Sequence, residues 1–233
     1  MHLSAPIYRL KHQAKLIARE HNLALHAALD RVAQQEGYPS WSLLTQRERE
    51  RSPSKVLVAG LKPGDLVLLG ARQGHGKTLL GLEFLIDTMR TGTAGAMFTL
   101  EYTRAEVEAL IASLGEDPDE FAGRFSFHDG DISAGYIQTQ LAQAAIGTAV
   151  LIDFLQLMDQ YRAHPPLAEQ VEILRSFGRE RGLVIVCIAQ IDRSYDPAEN
   201  RVPGLGDVRL PNPVDLSLFN RTCFLHEGEV VIT

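Results

Sequence analysis

Residues 71–78 read Ala71-Arg72-Gln73-Gly74-His75-Gly76-Lys77-Thr78, and this glycine-rich stretch decides the fold of the chain. An apolar run from Asp65 to Gly70 precedes it, and a run of helical periodicity from Leu79 to Met89 follows it. A strand, a glycine-rich loop and a helix in this order form the context of a phosphate-binding P loop rather than a chance Gly-Lys-Thr. The N–H groups of such a loop and the positive end of the helix converge on phosphate oxygens. The stretch therefore predicts a nucleoside triphosphate site.

Two side chains of this loop have predicted roles of their own. Lys77 is expected to reach the terminal phosphates, and the Thr78 hydroxyl is expected to hold Mg²⁺. One position departs from the usual pattern, because Ala71 stands where the first glycine is expected and Gly70 lies just before it. The residues expected to contact the nucleotide are Ala71, Arg72, Gln73, Gly74, His75, Gly76, Lys77, Thr78 and Leu79.

The composition is that of a globular protein in a reducing compartment. The 233 residues suffice for one α/β domain with a small appendage, and the apolar fraction of 45% is ordinary. Two cysteines, Cys187 and Cys223, form neither a disulfide framework nor a zinc spacing. The apolar run from Ala149 to Met158 is too short to span a bilayer, and basic residues interrupt the N-terminus from Arg9 to Arg19. We expect a cytoplasmic protein that does not insert into membranes.

The net charge of −6 is unevenly distributed. Residues 1–55 carry nine Lys/Arg and five Asp/Glu, a balance of +4, whereas the rest of the chain has a balance of −10. A basic head on an acidic body argues against broad capture of nucleic acid by the body alone.

The sequence pattern predicts a small helical module at residues 1–50 and a linker at residues 51–62. Lys11, Lys15 and Arg19 line the flank of the first helix. This basic flank is either a solvated face or a docking face for nucleic acid, a protein partner or the acidic body of a neighbouring subunit. The apolar stripe that predicts the first helix consists of Leu3, Ile7, Leu10, Ala14 and Ile17.

Residues 63–233 alternate strand and helix signals, which predicts a mostly parallel sheet covered on both faces. The tail differs, since Arg221–His226 and Glu229–Ile232 predict a closing β-hairpin. Helices are predicted at 77–90, 103–114, 134–145 and 167–181. Buried strands are predicted at Leu66–Leu69, Ala96–Leu100, Phe125–His128, Val150–Asp153 and Leu183–Ala189.

Three polar side chains end predicted strands. Asp153 closes an apolar strand and is placed to bind Mg²⁺ through water at the carboxyl edge of the sheet. Glu101 ends the strand expected next to the P-loop strand, either as the carboxylate that polarises a water or as a helix-capping acid ahead of Thr103. Gln190 is either a contact to the γ-phosphate or simply a polar strand end.

Together these segments resemble the motor domain of DnaB-type replicative helicases, a RecA-like P-loop ATPase family. The resemblance covers roughly residues 56–233, and its most specific part is Ile152–Met158, which extends well past a generic metal-binding strand. The matching segments are Gly70-Ala71-Arg72 through Gly76-Lys77-Thr78, Thr99-Leu100-Glu101, Leu151-Ile152-Asp153-Phe154-Leu155-Gln156-Leu157-Met158 and Ala189-Gln190-Ile191-Asp192-Arg193-Ser194.

The resemblance implies ATP and Mg²⁺ as ligands, and a homo-oligomer, hexamer or filament, that acts on single-stranded DNA. It assigns Glu101 as the catalytic carboxylate and Gln190 as the γ-phosphate sensor, with Lys77 and Thr78 on the phosphates and the metal. Arg201 matches the basic residue that reaches the next subunit's nucleotide, with surface solvation as the alternative.

Other features depart from that family. Its large N-terminal collar domain is replaced by about fifty helical residues, and its basic DNA-contact stretch is not evident after Asp159. Aromatic residues that could stack on single-stranded bases are few and none is well placed, with Tyr161 and Tyr195 as the only loop candidates. The leading prediction is an ATP-hydrolysing motor, and the alternative is an ATP-dependent switch or adaptor. A small-molecule kinase ranks last, because no arginine-rich lid is evident.

Overall fold

The structure is a computed structural model that describes residues 3–5, 7–50, 52–159, 164–210, 212–227 and 229–233. The chain divides into two compact units, Met1–Lys55 and Val56–Thr233. None of the helices in the described ranges has the length and apolarity needed to cross a membrane.

The described part of the first unit is helical, as predicted, and comprises α1 (Ile7–Glu20), α2 (Leu25–Gln35) and α3 (Trp41–Glu50). Gly37 follows α2 with a φ of 83°, a backbone conformation that suits glycine after a helix end. Small and branched side chains let α1 and α2 pack closely, and the buried members of this core are Leu10, Ala14, Ala28 and Val32.

Within residues 51–62, for which the sequence predicts a linker, Pro53–Gly60 forms a helix, α4, that was not predicted. Pro53 occupies the first helical position, where its missing N–H costs nothing. Leu57 is 1% exposed and belongs to a core cluster of the second unit. Tertiary burial of Leu57 therefore contributes to the stability of this helix.

The second unit is built on a seven-stranded sheet in the order β3-β2-β4-β5-β1-β6-β7. All strand pairs are parallel except β6 with β7, which form the predicted closing hairpin. The predicted mostly parallel α/β fold is therefore confirmed. The strands are β1 (Leu66–Ala71), β2 (Gly95–Thr99), β3 (Phe125–His128), β4 (Ala149–Asp153), β5 (Val184–Gln190), β6 (Arg221–His226) and β7 (Glu229–Ile232).

Alternate residues of the strands enter two cores on opposite faces of the sheet. On β1, Leu66 and Leu68 join one cluster, and Val67 and Leu69 join the other. The helices of this unit are α5 (Lys77–Arg90), α6 (Arg104–Ser113), α7 (Ala134–Gln140) and α8 (Leu167–Arg181).

Helix α7 ends five residues before the predicted end at 145. Leu141 is its C-terminal cap, and the chain then turns through residues 141–147. Gly147 adopts a φ of 84°, which allows the chain to enter β4 at Ala149. The short connection to a central strand therefore ends the helix early.

Candidate functional site

The glycine-rich loop joins the end of β1 to the start of α5. Gly74 and Gly76 have φ values of 82° and 88°, in the left-handed region that glycine enters without strain. Gly76 is the N-cap of α5, so Lys77 is the first helical residue. The first turn of α5 thus leaves N–H groups without helical partners at the loop, as a phosphate site requires.

Ala71 is compatible with this loop because the steric demand for glycine lies one residue earlier. A Cβ atom on Gly70 would stand 2.6 Å from the Phe224 ring. Ala71, by contrast, is a fully buried strand residue paired with Gln190 and Leu225. The off-pattern alanine therefore leaves the shape of the loop intact.

Thr78 and Asp153 meet beneath the loop. The Thr78 hydroxyl donates a hydrogen bond of 2.8 Å to Asp153 Oδ2. The other oxygen, Oδ1, is buried and has no hydrogen-bond partner among the described residues. Burial raises the pKa of Asp153 to about 6, although the Thr78 hydrogen bond and the Lys77 charge lower it.

This pair fits Mg²⁺, because a buried carboxylate oxygen without a partner in the described ranges lies beside a hydroxyl. Mg²⁺ in nucleotide sites keeps several waters and takes only one or two protein ligands besides the phosphates. The described part of the chain contains no cluster of three or more acidic, His or Cys side chains suited to a metal. Thr78 and Asp153 would hold the ion.

Asp153→Asn is expected to raise the free energy of unfolding of the metal-free protein at pH 8 by on the order of 2 kcal/mol. A carboxyl whose pKa rises from 3.8 to about 6 on folding destabilises the native protein by roughly 3 kcal/mol when it is ionised. Asparagine carries no charge and avoids this cost, but burial of its polar amide offsets part of the gain. The gain is complete above about pH 6 and vanishes towards pH 4, where the native carboxyl is protonated.

Urea denaturation of both proteins at pH 8 and pH 4 without metal measures this gain. Adding Mg²⁺ and nucleotide at pH 8 should then stabilise the wild type more than Asp153→Asn. Equal stabilisation of the two proteins by Mg²⁺ would contradict the metal assignment.

A cavity of about 280 Å³ opens at the carboxyl edge of the sheet and brings three predicted residues together. Lys77, Glu101 and Gln190 line it, so a charged donor, a carboxylate and an amide face one space. The Lys77 ammonium lies 5.9 Å from the centre of the Phe154 ring. The lining consists of Gln73, Gly74, Lys77, Glu101, Tyr102, Phe154 and Gln190.

Not every predicted nucleotide contact lines this cavity. Arg72 donates a hydrogen bond of 3.2 Å to the Arg193 carbonyl. The Thr78 hydroxyl donates its hydrogen bond to Asp153 instead. The other predicted contacts that do not line the cavity are Ala71, His75, Gly76 and Leu79.

Glu101 is not a helix-capping acid. Thr103 is the N-cap of α6 and forms a capping box with Glu106. The backbone N–H of Glu101 donates to Thr99 Oγ1 at 3.1 Å, and its exposed carboxylate faces the cavity. Of the two alternatives, the structure retains the carboxylate that faces the cavity.

The expected position of Glu101 in the sheet was wrong. Strand β2 is not next to β1, because β4 and β5 lie between them. The short segment after Thr99 brings Glu101 back to the cavity. Adjacency along the chain did not correspond to adjacency in the sheet.

Gln156 is a site residue that the sequence did not single out. Its side-chain Nε2 donates to the Arg209 carbonyl at 2.5 Å and to the Gln190 carbonyl at 3.3 Å. Arg209 N–H also donates to the Gln190 carbonyl, at 2.9 Å. The end of β5 is therefore fastened to residues 207–209, and only the presence of Gln156 in the Ile152–Met158 signature pointed to it.

Arg201 lies outside the cavity. Its side chain is 84% exposed and pairs with Glu229 on β7. It is therefore not brought to the nucleotide cavity of its own chain. Any role of Arg201 at phosphates would therefore be at the cavity of another subunit.

Tyr195, one of the two loop candidates for stacking on single-stranded bases, is buried and not available for stacking. Tyr195 is 5% exposed, its ring meets the edge of His226, and its hydroxyl donates to the Asn200 carbonyl at 2.6 Å. Tyr161, the other predicted candidate, lies outside the described residues.

His75 of the loop also contacts His226. The two rings stack with centroids 4.9 Å apart, and the Glu227 N–H donates to His75 Nδ1 at 3.3 Å. Burial and the neighbouring His226 lower the pKa of His75 below its usual value. A neutral ring with an acceptor nitrogen agrees with that hydrogen bond.

Known proteins share this sequence pattern and geometry. The profile of the family described as "ATPase: KaiC" matches residues 52–198. The replicative DNA helicase DnaB of Helicobacter pylori strain J99 is 27% identical over 199 residues, which cover 69% of this chain and 40% of that protein. The DnaB of Mycoplasma genitalium strain G37 is 24% identical over 203 residues, 70% of this chain and 43% of that protein. The chain thus spans about 40% of the length of these curated relatives.

Solved structures agree on the fold. A DnaB-like replicative helicase superposes with a TM-score of 0.61 and 19% identity, over 94% of this chain and 66% of that one. A KaiC-like protein from Pyrococcus horikoshii gives 0.55 and 18%, over 73% and 78%. A separately solved ATPase domain gives 0.59 and 19%, over 82% and 92%. The predicted RecA-like fold and the resemblance to DnaB-type motors are confirmed.

Proposed function

The chain belongs to the KaiC family of ATPases, and from this premise we propose that it is a RecA/DnaB-like motor that hydrolyses ATP and acts on single-stranded DNA. The observation that carries the proposal is the convergence of Lys77, Glu101 and Gln190 on one cavity. The Thr78–Asp153 pair next to Lys77 adds a place for Mg²⁺.

Binding of the phosphates falls to the loop and to Lys77. The left-handed glycines and the N-terminus of α5 direct backbone donors at the phosphates, and Lys77 neutralises the terminal ones. Thr78 and Asp153 hold Mg²⁺, which when bound neutralises charge on the β- and γ-phosphates. These contacts fix the γ-phosphate at the end of the cavity that Glu101 and Gln190 face.

Hydrolysis then requires an oriented water. Glu101 accepts a proton from the water that attacks the γ-phosphate, and its exposed position gives that water access. Gln190 contacts the γ-phosphate through its amide. The backbone carbonyl of Gln190 accepts hydrogen bonds from Gln156 and Arg209. A movement of Gln190 on release of the γ-phosphate is therefore transmitted to the segment 207–209.

The active form in this proposal is a hexamer or filament in which Arg201 completes the site of the next subunit. Support comes from its 84% exposed side chain, which lies outside its own cavity. In isolation the Glu229 carboxylate holds the guanidinium. Association exchanges this surface ion pair, worth little in water, for the phosphate of a neighbour.

Single-stranded DNA is proposed as the nucleic acid along which the motor moves, because the curated relatives are named replicative DNA helicases. We expect phosphate release by the wild type to rise several-fold when single-stranded DNA is added, and Lys77→Ala to stay at background with or without it. Rates unaffected by DNA or RNA of any sequence would contradict the nucleic-acid part of the proposal.

The alternative is an ATP-dependent switch or adaptor in which the basic first helix binds an acidic protein partner. It is favoured by the charge balance of +4 on residues 1–55 against −10 on the rest. Lys15 and Arg19 are exposed on α1. Replacing both with glutamate discriminates between the two functions. If the variant no longer binds a protein partner and its ATP hydrolysis does not depend on DNA, the switch is favoured. If the variant loses the stimulation of ATP hydrolysis by DNA, the motor is favoured.

A further inference from the structure

Three aromatic rings from separate parts of the second unit pack beside the P loop. They are His75 of the loop, His226 at the end of β6 and Tyr195 after β5, and we name them the ring cluster. His226 stacks on His75 with an angle of 17° between the planes. Tyr195 meets His226 at 78° and a centroid distance of 5.4 Å. Because His226 contacts both other rings, the P loop and the segment after β5 share one packing partner.

Packing rather than polar bonding holds the central ring. His226 is 6% exposed, and its Nδ1 atom is buried with no hydrogen-bond partner in the described part of the chain. Stacked and edge-on arrangements at these distances are the favourable geometries of aromatic pairs. The ring itself is therefore the feature that a substitution must preserve.

Tyr195 also fastens the backbone that carries Arg201. Its hydroxyl donates to the carbonyl of Asn200, the residue before Arg201. The N–H groups of Glu199 and Asn200 both donate to the Asp196 carbonyl, which closes the intervening turn. Arg201 is thus held through its backbone by Tyr195 and through its side chain by Glu229, which pairs with His226 across the hairpin.

We infer that Tyr195 is a positioning residue that sets the Arg201 loop relative to the P loop through the ring cluster. The inference rests on the proposed role of Arg201 at a neighbouring subunit. Tyr195 touches no substrate in this scheme. Its hydroxyl fixes the backbone that presents Arg201, and its ring ties that backbone to the loop that binds the phosphates of its own subunit.

Tyr195→Phe keeps the ring and removes only the hydroxyl. Loss of one buried hydrogen bond is expected to lower kcat about 3- to 10-fold, while the KM for ATP changes little because the P loop keeps its packing. Tyr136→Phe is the matched control, since Tyr136 packs edge-on against Phe98 and His128 and does not line the cavity. It should leave kcat unchanged at a similar melting temperature.

Mixed assemblies test whether the lower kcat of Tyr195→Phe results from a misplaced Arg201. Lys77→Ala subunits keep Arg201, and Arg201→Ala subunits keep the P loop, so mixing them should restore hydrolysis. Carrying Tyr195→Phe on the Lys77→Ala subunit should reduce the restored rate by the same 3- to 10-fold factor, about one hydrogen bond. Equal restoration with and without the Tyr195→Phe change would overturn the positioning role alone. No restoration by either mixture would overturn the supply of Arg201 between subunits, and the inference with it.

The central ring gives a second, independent readout. His226→Phe keeps a ring of similar shape and should retain kcat and KM, whereas His226→Leu removes the ring packed on both Tyr195 and the P loop and should lower kcat and raise the KM for ATP. Equal kcat values for the two variants would also overturn the role of the ring cluster.

Discussion

Arg201→Ala is expected to lower kcat for ATP hydrolysis by about 10³- to 10⁵-fold, the range that an arginine stabilising the transferred phosphoryl group contributes. The reason is that Lys77 is the only Lys or Arg side chain among the described residues that line the cavity. Besides Lys77 and the Mg²⁺ that Thr78 and Asp153 would hold, Arg201 of the next subunit would then add a third positive charge beside the γ-phosphate oxygens, where negative charge develops. Steady-state phosphate release at saturating ATP measures the loss.

The variant should also act on its neighbours. In mixtures with the wild type, each Arg201→Ala subunit should silence one site, that of the next subunit, while its own site stays active wherever a wild-type neighbour supplies Arg201. Arg90→Ala is the matched control, since Arg90 is likewise exposed and paired with an acid, Glu116, at the far end of α5. A kcat within a few-fold of wild type for Arg201→Ala would contradict its role.

Much of the second unit could be predicted because its signals are local. The apolar runs that became β1, β4 and β5 are buried on both faces, so they needed no knowledge of their partners. Glu227-Gly228 between two short runs similarly marked the hairpin. Helix α4 was missed, because its stability comes from burying Leu57 in a core that the sequence does not display.

Residues of the candidate site were predictable where each belongs to a recognisable local segment, the glycine-rich loop or the polar end of a strand. Lys77, Thr78 and Asp153 follow from the loop and from the strand that ends in an acid. The burial of Tyr195 was not predictable, because it depends on the ring of His226, thirty-one residues further along. Gln156 was overlooked for the same reason, since its partners Gln190 and Arg209 come from later segments.

The central claim is that this cavity hydrolyses ATP with Glu101 as the base. Glu101→Gln keeps the size of the side chain and one acceptor oxygen but cannot accept the proton. We expect kcat to fall about 10²- to 10⁴-fold, the usual contribution of a general base. Affinity for Mg²⁺–ATP should be retained, because Lys77, Thr78 and Asp153 are untouched.

Glu108→Gln is the matched control. Glu108 lies on the neighbouring helix α6, is partly exposed and pairs with Arg104. The same loss of charge there should leave both binding and kcat unchanged, so a general effect of removing an acid near the cavity is separated from loss of the base.

The most direct measurement is single-turnover hydrolysis of Mg²⁺–ATP bound to Glu101→Gln, with binding of the same nucleotide measured in parallel. The proposed mechanism predicts a complex as tight as that of the wild type in which the γ-phosphate stays attached for hundreds of wild-type turnovers. Hydrolysis at the wild-type rate by a variant that binds ATP normally would contradict the claim.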